Sequence, residues 1–419
     1  MNLAWQIEQY FPEHILELVK DISKQADEMG QRVYLVGGVV RDLLLGYANF
    51  DLDLVVEGDA LALARQIAET HQAKLIIHPR FGTAKLSYGD FTFDMATARG
   101  ETYACSGALP TVVPGVLNDD LIRRDFSVNA MAVSLSSNNY GDFIDPHNGK
   151  DDLERRLIHV LHNESFRDDA TRILRAIRYE QRLNFKLEAR TAQLLGRDIP
   201  MLDTISGDRL RHELELIFRE KCPELAINRL NELGVLQRIK LPIKANGWIA
   251  EKFDKARRLN KPRQLLSLYF CLLIYPLDEK GNEQLLYRLK ISKRLSRAMR
   301  DTLLLKAKLF LLDEPHMKPG DIYYLLDEYD PLAIQTNAIT SELTVTSHYL
   351  QLFLAKLRNV KTSLSGEDLK EMGIAPGPAM GSILQILHRA KLDGEVNTEA
   401  DERKLVLLLK SSDDHSAIE

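Results

Sequence analysis

The sequence is poor in cysteine: its 419 residues include three, Cys105, Cys222 and Cys271, and these lie far apart. This spacing excludes a disulfide-rich scaffold and a zinc site built on paired cysteines. It is typical of a reducing compartment, so we expect a cytoplasmic protein. Long apolar runs are also missing, since no stretch approaches the roughly eighteen residues of a membrane-spanning helix. The first thirty residues lack a signal-peptide pattern, and we expect no membrane partner.

An excess of positive charge is missing as well, because the formal net charge is −5. A nucleic-acid partner would therefore have to be bound by local basic patches. Residues 252–263 carry six basic residues and one acid, and residues 288–300 carry six basic residues and no acid. The candidate RNA contacts in these two stretches are Lys252, Arg257, Arg258, Arg288, Lys290, Lys293, Arg294 and Arg297. The alternative for each stretch is a solvated helix surface. No aromatic RNA-binding signature is present, so we expect recognition of RNA shape and backbone.

The residue pattern changes near residue 150. Before it, short β-rich runs are separated by Gly and Asp turns, and after it long amphipathic helical patterns take over. The predicted strands are 33–36, 52–56, 74–77, 83–87, 91–95 and 131–134, and the predicted helices include 3–29, 168–183, 208–220 and 226–233. We therefore predict an α+β protein, with a mixed-sheet head over residues 1–150 and an all-helical remainder divided into 151–222, 223–340 and 341–419.

The first chemical signal lies where a predicted strand meets a predicted helix. Gly37 and Gly38 follow the strand 33–36, and Arg41 lies in the helical stretch after them. Paired glycines allow backbone N–H groups to approach a phosphate closely, and the helix start adds its dipole. Arg41 could add a forked phosphate contact. An ordinary Gly-Gly turn is the alternative.

Two acids follow within the same unit. Asp51 and Asp53 stand two residues apart at the start of a predicted strand, so their carboxylates lie on one face. Adjacent carboxylates are costly without a cation between them, and Mg²⁺ takes carboxylate oxygens while keeping places for substrate phosphates. Asp94 stands in another β-run that could lie beside this strand, and it is a candidate third carboxylate that accepts the primer 3′-hydroxyl proton or supports a metal. The alternatives are a solvated acidic strand end for the pair and a plain strand-end acid for Asp94.

The segment 34–56 (YLVGGVVRDLLLGYANFDLDLVV) resembles the head motif of the tRNA nucleotidyltransferase and bacterial poly(A) polymerase family. This is class II of the nucleotidyltransferase superfamily that includes DNA polymerase beta. The resemblance continues in order through 123–130, 145–153, 168–179 and 206–214, and more weakly near 365–395. It implies a polymerase-beta-like head, followed by a helical neck with base recognition, and by a helical body and tail that bind RNA.

The resemblance also implies an activity: template-independent addition of C and/or A, from CTP and ATP, to the acceptor end of tRNA. Two Mg²⁺ ions held by Asp51 and Asp53 would orient the α-phosphate and neutralise pyrophosphate. A CC-adding or A-adding half-enzyme remains open. A poly(A) polymerase is disfavoured by the acidic end DDHSAIE, and an inactive RNA-binding module is disfavoured by the intact acids and glycines. A loop at 97–119 would help to switch from CTP to ATP, and no protein partner is expected.

Further residues receive roles from the same resemblance. In 123–130 (RRDFSVNA), Arg123 and Arg124 contact phosphate or ribose. Asp125 and Asn129, four apart on a predicted helix, recognise the ribose. A helix start with a first-turn acid is the alternative.

Base choice is assigned to the helix predicted at 168–183. Asp169 and Arg172 are neighbours at i and i+3 on it. A carboxylate that accepts from an exocyclic amine, beside an arginine that donates to a ring nitrogen, would select cytosine and adenine over uracil and guanine. Arg175 and Arg178 would contact the triphosphate. A surface ion pair and a solvated basic face are the alternatives.

Overall fold

The structure, a computed structural model, describes residues 1–89, 91–102, 111–241, 247–260 and 262–416. The chain divides into two compact units, Met1–Ile239 and Lys240–Glu419. The predicted boundaries at residues 150 and 222 lie inside the first unit, and the one at residue 340 lies inside the second. The four-part division therefore stays a prediction.

The strands all belong to the first unit. They are β1 (Arg32–Val36), β2 (Leu52–Glu57), β3 (Lys74–His78), β4 (Thr83–Tyr88), β5 (Phe91–Thr97), β6 (Arg99–Thr102), β7 (Thr111–Pro114), β8 (Ala132–Ser134), β9 (Phe143–Ile144), β10 (Leu157–Ile158) and β11 (Lys186–Leu187). Seven of them form one sheet in the order β3-β4-β5-β2-β1-β8-β9. Only β2 and β5 are parallel neighbours in it, so the sheet is mixed, as predicted. Each of the six predicted strands is confirmed to within two residues at its ends.

The α-helices of the first unit are α1 (Ala4–Tyr10), α2 (Glu13–Glu28), α3 (Gly38–Leu44), α4 (Ala60–His71), α5 (Leu117–Ile122), α6 (Gly149–Glu154), α7 (Ser165–Asp168), α8 (Thr171–Arg182), α9 (Ala189–Asp198), α10 (Gly207–Phe218), α11 (Pro223–Glu232) and α12 (Val235–Arg238). Those of the second unit are α13 (Trp248–Leu259), α14 (Pro262–Ile274), α15 (Glu279–Arg288), α16 (Lys293–Lys308), α17 (Pro319–Leu326), α18 (Pro331–Thr340), α19 (Thr344–Ala355), α20 (Gly366–Glu371), α21 (Pro378–Leu392) and α22 (Glu399–Ser416). Short 3₁₀ helices lie at Pro79–Phe81, Ser127–Asn129, Ser137–Asn139, Ile199–Thr204, Leu309–Leu312 and Leu357–Asn359.

The two faces of the large sheet are distinguished by alternating side chains. On β2, Leu52, Leu54 and Val56 enter the main core together with apolar residues of α1 to α4. Val55 instead joins a smaller apolar cluster on the opposite face. Because strand side chains alternate, the intervening Asp53 belongs to that opposite face. The main core thus fixes which face carries the acids.

Three sequence expectations need correction. The helix predicted at 3–29 is two helices, because Pro12 removes a backbone donor and forces the preceding Phe11 into an extended conformation. The loop predicted at 97–119 contains the paired strands β6 and β7 and the start of α5, although its residues 103–110 lie outside the described residues. The part after residue 150 is not purely helical, since β10 and β11 form a short parallel ladder.

The second unit is built from helices alone in its described residues. Apolar side chains of α16 to α19 form one core cluster, and those of α20 to α22 form another. No described helix of either unit is long and apolar enough to cross a membrane.

Candidate active site

Gly37 connects β1 to α3 in a conformation with φ of +77°, which glycine adopts far more readily than other residues. A Cβ atom built there would lie 2.8 Å from Nη1 of Arg124 and 3.4 Å from Oδ2 of Asp53. The guanidinium of Arg124 and the carboxylate of Asp53 therefore occupy the space in which a side chain of residue 37 would stand. At Gly38 the corresponding Cβ would be 3.5 Å from Nη2 of Arg41, an ordinary contact.

The acids predicted from sequence meet on the face of the sheet opposite the main core. Asp53 of β2 and Asp94 of β5 are register partners across the parallel pair. Burial raises the pKa of Asp53 to about 6; Arg124 opposes this rise, whereas the negative charges of Asp51, Asp94 and Asp120 add to it. Asp51 is exposed, and Nζ of Lys85 lies 3.3 Å from the half-exposed Asp94 carboxylate. The site thus concentrates negative charge around Asp53.

This concentration of charge is what a divalent cation would relieve. Among the described residues no group of three or more His, Cys, Asp or Glu side chains is arranged to hold a metal ion. Mg²⁺, however, is commonly held by one or two carboxylates, with water and substrate phosphates completing its coordination. Burial is the main cause of the raised pKa of Asp53, and the negative charges of Asp51, Asp94 and Asp120 add to it; a bound cation would oppose both effects, and in this respect the donor set fits such an ion.

Arg41 does not occupy the place predicted for it. Its side chain is only 2% exposed. Nε donates to the carboxylate of Asp42 over 2.9 Å, and Nη1 donates to Oδ1 of Asn129 over 2.6 Å. The guanidinium also lies 5.4 Å from the ring centroid of Tyr179. Its donors thus bind protein groups, and the phosphate role predicted for it gains no support from its position.

Asp125 and Asn129 meet, although not on a helix. Asp125 precedes Phe126, Asn129 is the last residue of the 3₁₀ helix Ser127–Asn129, and Nδ2 of Asn129 donates to Oδ1 of Asp125 over 3.0 Å. Nε and Nη2 of Arg175 donate to Oδ2 of Asp125 over 2.9 and 2.6 Å. Burial would raise the pKa of Asp125, but Arg175 and Asn129 outweigh it and hold that pKa below its usual range. The predicted helical face is wrong, whereas the proximity of the two side chains is confirmed.

The predicted helical pair of Asp169 and Arg172 is also wrong in its geometry. Asp169 is extended, with φ of −142° and ψ of 99°, and α8 begins only at Thr171. Its Oδ1 accepts from the backbone N–H and the hydroxyl of Thr171 at 3.0 and 2.7 Å, and its Oδ2 accepts from Nη2 of Arg209 at 2.6 Å. The carboxylate is therefore fixed by α8 and by α10. The sequence analysis missed Arg209, which lies in the motif at 206–214.

Arg172 is nearly buried and has partners of its own. Nη1 donates to Oγ of Ser165 over 2.7 Å, and Nη2 donates to the backbone carbonyl of Arg123 over 2.6 Å. These bonds tie α8 to α7 and to the end of α5. Arg172 still lines the same cavity as Asp169, so the structure brings the two residues to one site without pairing them.

The next two arginines of α8, Arg175 and Arg178, lie in different surroundings. Arg175 reaches the cavity, whereas Arg178 is buried and lies 3.7 Å from Glu213 and 3.6 Å from Glu220. The triphosphate contact predicted for Arg178 is therefore not supported by its position.

Tyr179, which the sequence analysis missed, packs against the guanidinium groups of Arg41, Arg175 and Arg178. The sequence signal for Tyr179 is its position in RAIRY (175–179), because a residue four places after Arg175 lies on the same face of the helix.

A cavity of about 310 Å³ collects most of these residues. Its lining consists of Gly37, Gly38, Asp53, Glu101, Arg123, Arg124, Asp125, Asn129, Asp169, Arg172, Arg175 and Tyr179. Asp51, Asp94, Arg41 and Arg178 are not among the residues that line it. Glu101 is an addition to the predicted set, and it is paired with Arg123 across 3.1 Å. The lining combines four arginines with four carboxylates, and Arg124 and Asp53 both lie beside Gly37.

The candidate RNA contacts differ in exposure. Lys252 is buried, which makes a contact with RNA incompatible with its position. Arg257 and Arg258 lie 3.5 and 2.6 Å from Asp254 on the same helix, α13. Around the start of α16 the exposed candidates are Lys290, Lys293, Arg294 and Arg297, while Arg288 is half-buried. Exposure therefore favours the stretch at 288–300.

Comparison with known proteins shows which families and relatives this chain resembles. Residues 33–159 match the family described as the poly A polymerase head domain, and residues 184–244 match the one described as the probable RNA and SrmB-binding site of polymerase A. The A-adding tRNA nucleotidyltransferase of Halalkalibacterium halodurans is 32% identical over 92% of this chain and 90% of its own length. The A-adding tRNA nucleotidyltransferase of Geobacter sulfurreducens is 34% identical over 96% of this chain.

The lengths of these relatives differ. The chain spans about half the length of two curated relatives that it matches, 48% of the Geobacter protein and 44% of the A-adding tRNA nucleotidyltransferase of Aquifex aeolicus. Among solved structures, the Thermotoga maritima CCA-adding enzyme complexed with tRNA is 30% identical, with a TM-score of 0.77 over 98% of both chains. The sequence motifs, the mixed-sheet head and these matches agree, and the chain belongs to the tRNA nucleotidyltransferase and poly(A) polymerase family.

Proposed function

We propose that the protein is a metal-dependent, template-independent nucleotidyltransferase that adds C and/or A, from CTP and ATP, to the acceptor end of tRNA in the cytoplasm. The observation that carries this proposal is the cavity, because Asp53, Arg124, Asp169 and Arg172 all line it. Asp53 and Arg124 suit a metal-bound triphosphate, and Asp169 and Arg172 suit a base edge. A nucleotide that contacts both pairs would be aligned for reaction without a template strand.

Asp51 and Asp53 are the residues that would hold Mg²⁺. When bound, the metal ions orient the α-phosphate and stabilise the charge that develops on the attacking and leaving oxygens. Arg124 and Arg175 line the cavity and supply positive charge to the triphosphate. Asp94 lies beside Asp53 in the register and is placed to accept the proton of the acceptor 3′-hydroxyl. The roles proposed for Arg124 and Arg175 are supported by their place in the cavity lining, and the role proposed for Asp94 by its register with Asp53.

Base selection is assigned to Asp169 and Arg172. A carboxylate only accepts hydrogen bonds, and a guanidinium only donates them. Cytosine and adenine present an amine donor beside a ring-nitrogen acceptor, which complements this pair, while uracil and guanine present the opposite polarity. Asp125 and Asn129 are proposed to read the ribose. The helical neck, body and tail are proposed for 151–222, 223–340 and 341–419, with RNA bound by the last two.

Among the possible additions, addition of A is the favoured candidate. The relatives at 32 to 35% identity are A-adding tRNA nucleotidyltransferases, whereas a CC-adding relative from Deinococcus radiodurans is 30% identical. Complete CCA addition is the second candidate, since solved CCA-adding enzymes match 97 to 98% of the chain at 30% identity. A poly(A) polymerase and an inactive RNA-binding module rank below both.

The test uses three tRNA substrates, ending at the discriminator base, at C and at CC, each supplied with CTP or ATP and a divalent metal. An A-adding enzyme extends only the CC end, and only with ATP. Extension of all three ends would indicate full CCA addition. Asp51→Ala and Asp53→Ala serve as controls that should abolish addition while tRNA binding persists. Absence of incorporation by the wild-type protein in every combination would refute the proposal.

A further inference from the structure

The loop between α3 and β2 is held by a chain of hydrogen bonds that begins in the protein interior. The buried carboxylate of Asp42, itself paired with Arg41, accepts from Nδ2 of Asn49 over 2.7 Å. The backbone carbonyl of Asp42 accepts from the backbone N–H of Tyr47 over 2.9 Å. Oδ1 of Asn49 then accepts from the backbone N–H of Asp51 over 2.9 Å. The loop therefore has a defined conformation, and its far end is Asp51.

This ordered loop holds two aromatic rings in water. Tyr47 is 62% exposed and Phe50 is 41% exposed. Turn segments of this kind are usually built from Gly, Pro, Asn, Asp and Ser, so two aromatics in four positions are unusual. A single exposed aromatic needs no explanation, but two of them on a loop fixed by a buried ion pair present a preformed apolar surface.

The position of the rings indicates which substrate they meet. Under the proposed function two substrates must converge, the nucleoside triphosphate and the RNA 3′ end. Asp53 lines the cavity assigned to the triphosphate, while Asp51, Tyr47 and Phe50 are not among its lining residues. Phe50 directly precedes Asp51, so its Cα atom lies about 3.8 Å from that of the acid. The exposed ring of Phe50 thus stands next in sequence to an exposed carboxylate, and it is accessible to RNA that approaches from outside the cavity.

We infer that Tyr47 and Phe50 form a stacking platform for the unpaired nucleobases at the 3′ end of the acceptor RNA. The inference rests on the proposed function and deepens it by naming the protein surface that holds the acceptor strand. Stacking on an aromatic ring tolerates every base, because each base has a π-face. Such a platform would hold acceptor ends that differ in their final bases while Asn49 and Asp42 keep Asp51 in a fixed relation to it.

The first experiment measures steady-state addition with the full-length protein, varying tRNA at saturating nucleotide and then nucleotide at saturating tRNA. Phe50→Ala and Tyr47→Ala are expected to raise the KM for tRNA by about fivefold or more, with the KM for the nucleotide unchanged. Phe50→Tyr and Tyr47→Phe keep the ring and should restore the wild-type value. Trp5→Ala is the matched control, since Trp5 is 64% exposed on α1 but is distant in sequence from the acids.

The second experiment removes the base rather than the ring. A tRNA with an abasic 3′-terminal nucleotide should bind the wild-type protein more weakly than intact tRNA, and Phe50→Ala or Tyr47→Ala should shrink that difference. If the ring and the base interact, the two losses are not additive.

Additive losses of binding would overturn the proposed platform. So would alanine variants in which kcat, the KM for the nucleotide and the melting temperature all worsen together with the KM for tRNA, because the rings would then only support packing. Unchanged kinetics in both alanine variants would overturn it as well. In each of these cases a wild-type protein that extends tRNA still satisfies the proposed function, whereas a wild-type protein that extends no tRNA refutes both proposals.

Discussion

Arg209 donates to Asp169 across 2.6 Å, and this contact joins α10 to the residue that precedes α8. The second oxygen of Asp169 is held by Thr171. Both oxygens are thus fixed: Oδ1 accepts two hydrogen bonds, whereas Oδ2 accepts one and keeps an acceptor position. Under the proposed function, a base whose exocyclic amine faces Oδ2 meets an acceptor in a set orientation. The carboxylate proposed to read the base is therefore held by two helices rather than by one.

The first prediction follows from that contact. Arg209→Gln removes the charged hydrogen bond that orients Asp169, so the acceptor should become less well placed for an amine. We expect the preference for ATP over GTP, and for CTP over UTP where CTP is used, to fall by about tenfold, which corresponds to about 1.4 kcal/mol. The ratio of kcat/KM values measures it. Arg211→Gln on the same helix is the control, because Arg211 pairs with Asp208 and Glu215. An unaltered ratio in Arg209→Gln would assign the contact to stability alone.

The second prediction concerns recognition of the ribose. Asp125→Asn keeps the shape of the side chain but weakens the fork that Arg175 makes to it. If Asp125 and Asn129 read the 2′-hydroxyl, the preference for ATP over dATP should fall about fivefold or more, since one hydrogen bond is worth about 1 kcal/mol. Asp152→Asn is the control: Asp152 is equally buried, accepts from Ser127, and does not line the cavity. A purely structural role for Asp125 would lower the melting temperature and leave the ATP to dATP ratio intact.

The third prediction concerns the start of α16. Lys293 and Arg294 occupy its first turn, where positive charge opposes the helix dipole at a cost of about 0.3–1 kcal/mol each. Lys293→Glu with Arg294→Glu should therefore leave the helix intact. Binding of tRNA should weaken, and the log–log salt slope should decrease by about one for each phosphate that the variant no longer neutralises. Lys24→Glu is the control, because Lys24 is an exposed lysine of α2 that lies 4.0 Å from Glu28 and is outside the ranges proposed to bind RNA. Identical slopes for the double variant and the wild type would mean that RNA binds elsewhere.

Much of the head could be predicted from its sequence because two local rules dominate there. Alternation of apolar residues located the strands, and the paired glycines marked the tight connection after β1. The position of the acids could be predicted by the same reasoning. Side chains alternate along β2, so Asp53 lies on the face opposite the core residues Leu52 and Leu54. Even the approach of Asp94 to Asp53 was an expectation from sequence, and the strand register confirms it.

The arginines could not be resolved in the same way. Helical spacing shows which residues share a face but not which distant element covers that face. Arg178 pairs with Glu213 and Glu220, which lie on and just beyond α10, and Arg41 is enclosed by Asp42 and Asn129. Apart from Asp42, which adjoins Arg41, these partners are distant in sequence and are brought in by packing. The start of α8 was predicted wrongly for another reason. Aspartate is common both in the first turn of a helix and just before it, so the residue type does not show where the helix begins. The extended backbone of Asp169 shows that this residue lies outside the helix.

The last prediction concerns Asp53 and pH. In the protein without metal its pKa is raised to about 6, from an ordinary value of 3.8. The folded state therefore holds an extra proton between these values, and stability falls as pH rises through that window. The resulting penalty is absent below about pH 4 and complete above about pH 6.

Asp53→Asn should remove this penalty. In a chelating buffer at pH 8 we expect the variant to exceed the wild type in stability by on the order of 2–3 kcal/mol, and to lose that advantage at pH 4. Adding Mg²⁺ at pH 8 should stabilise the wild type and not the variant, because the ion binds the ionised carboxylate. Thermal unfolding at both pH values, with and without Mg²⁺, provides the measurement. A variant less stable than the wild type in chelator at pH 8 would show that the carboxylate gains more from Arg124 than it loses to burial and to the neighbouring acids.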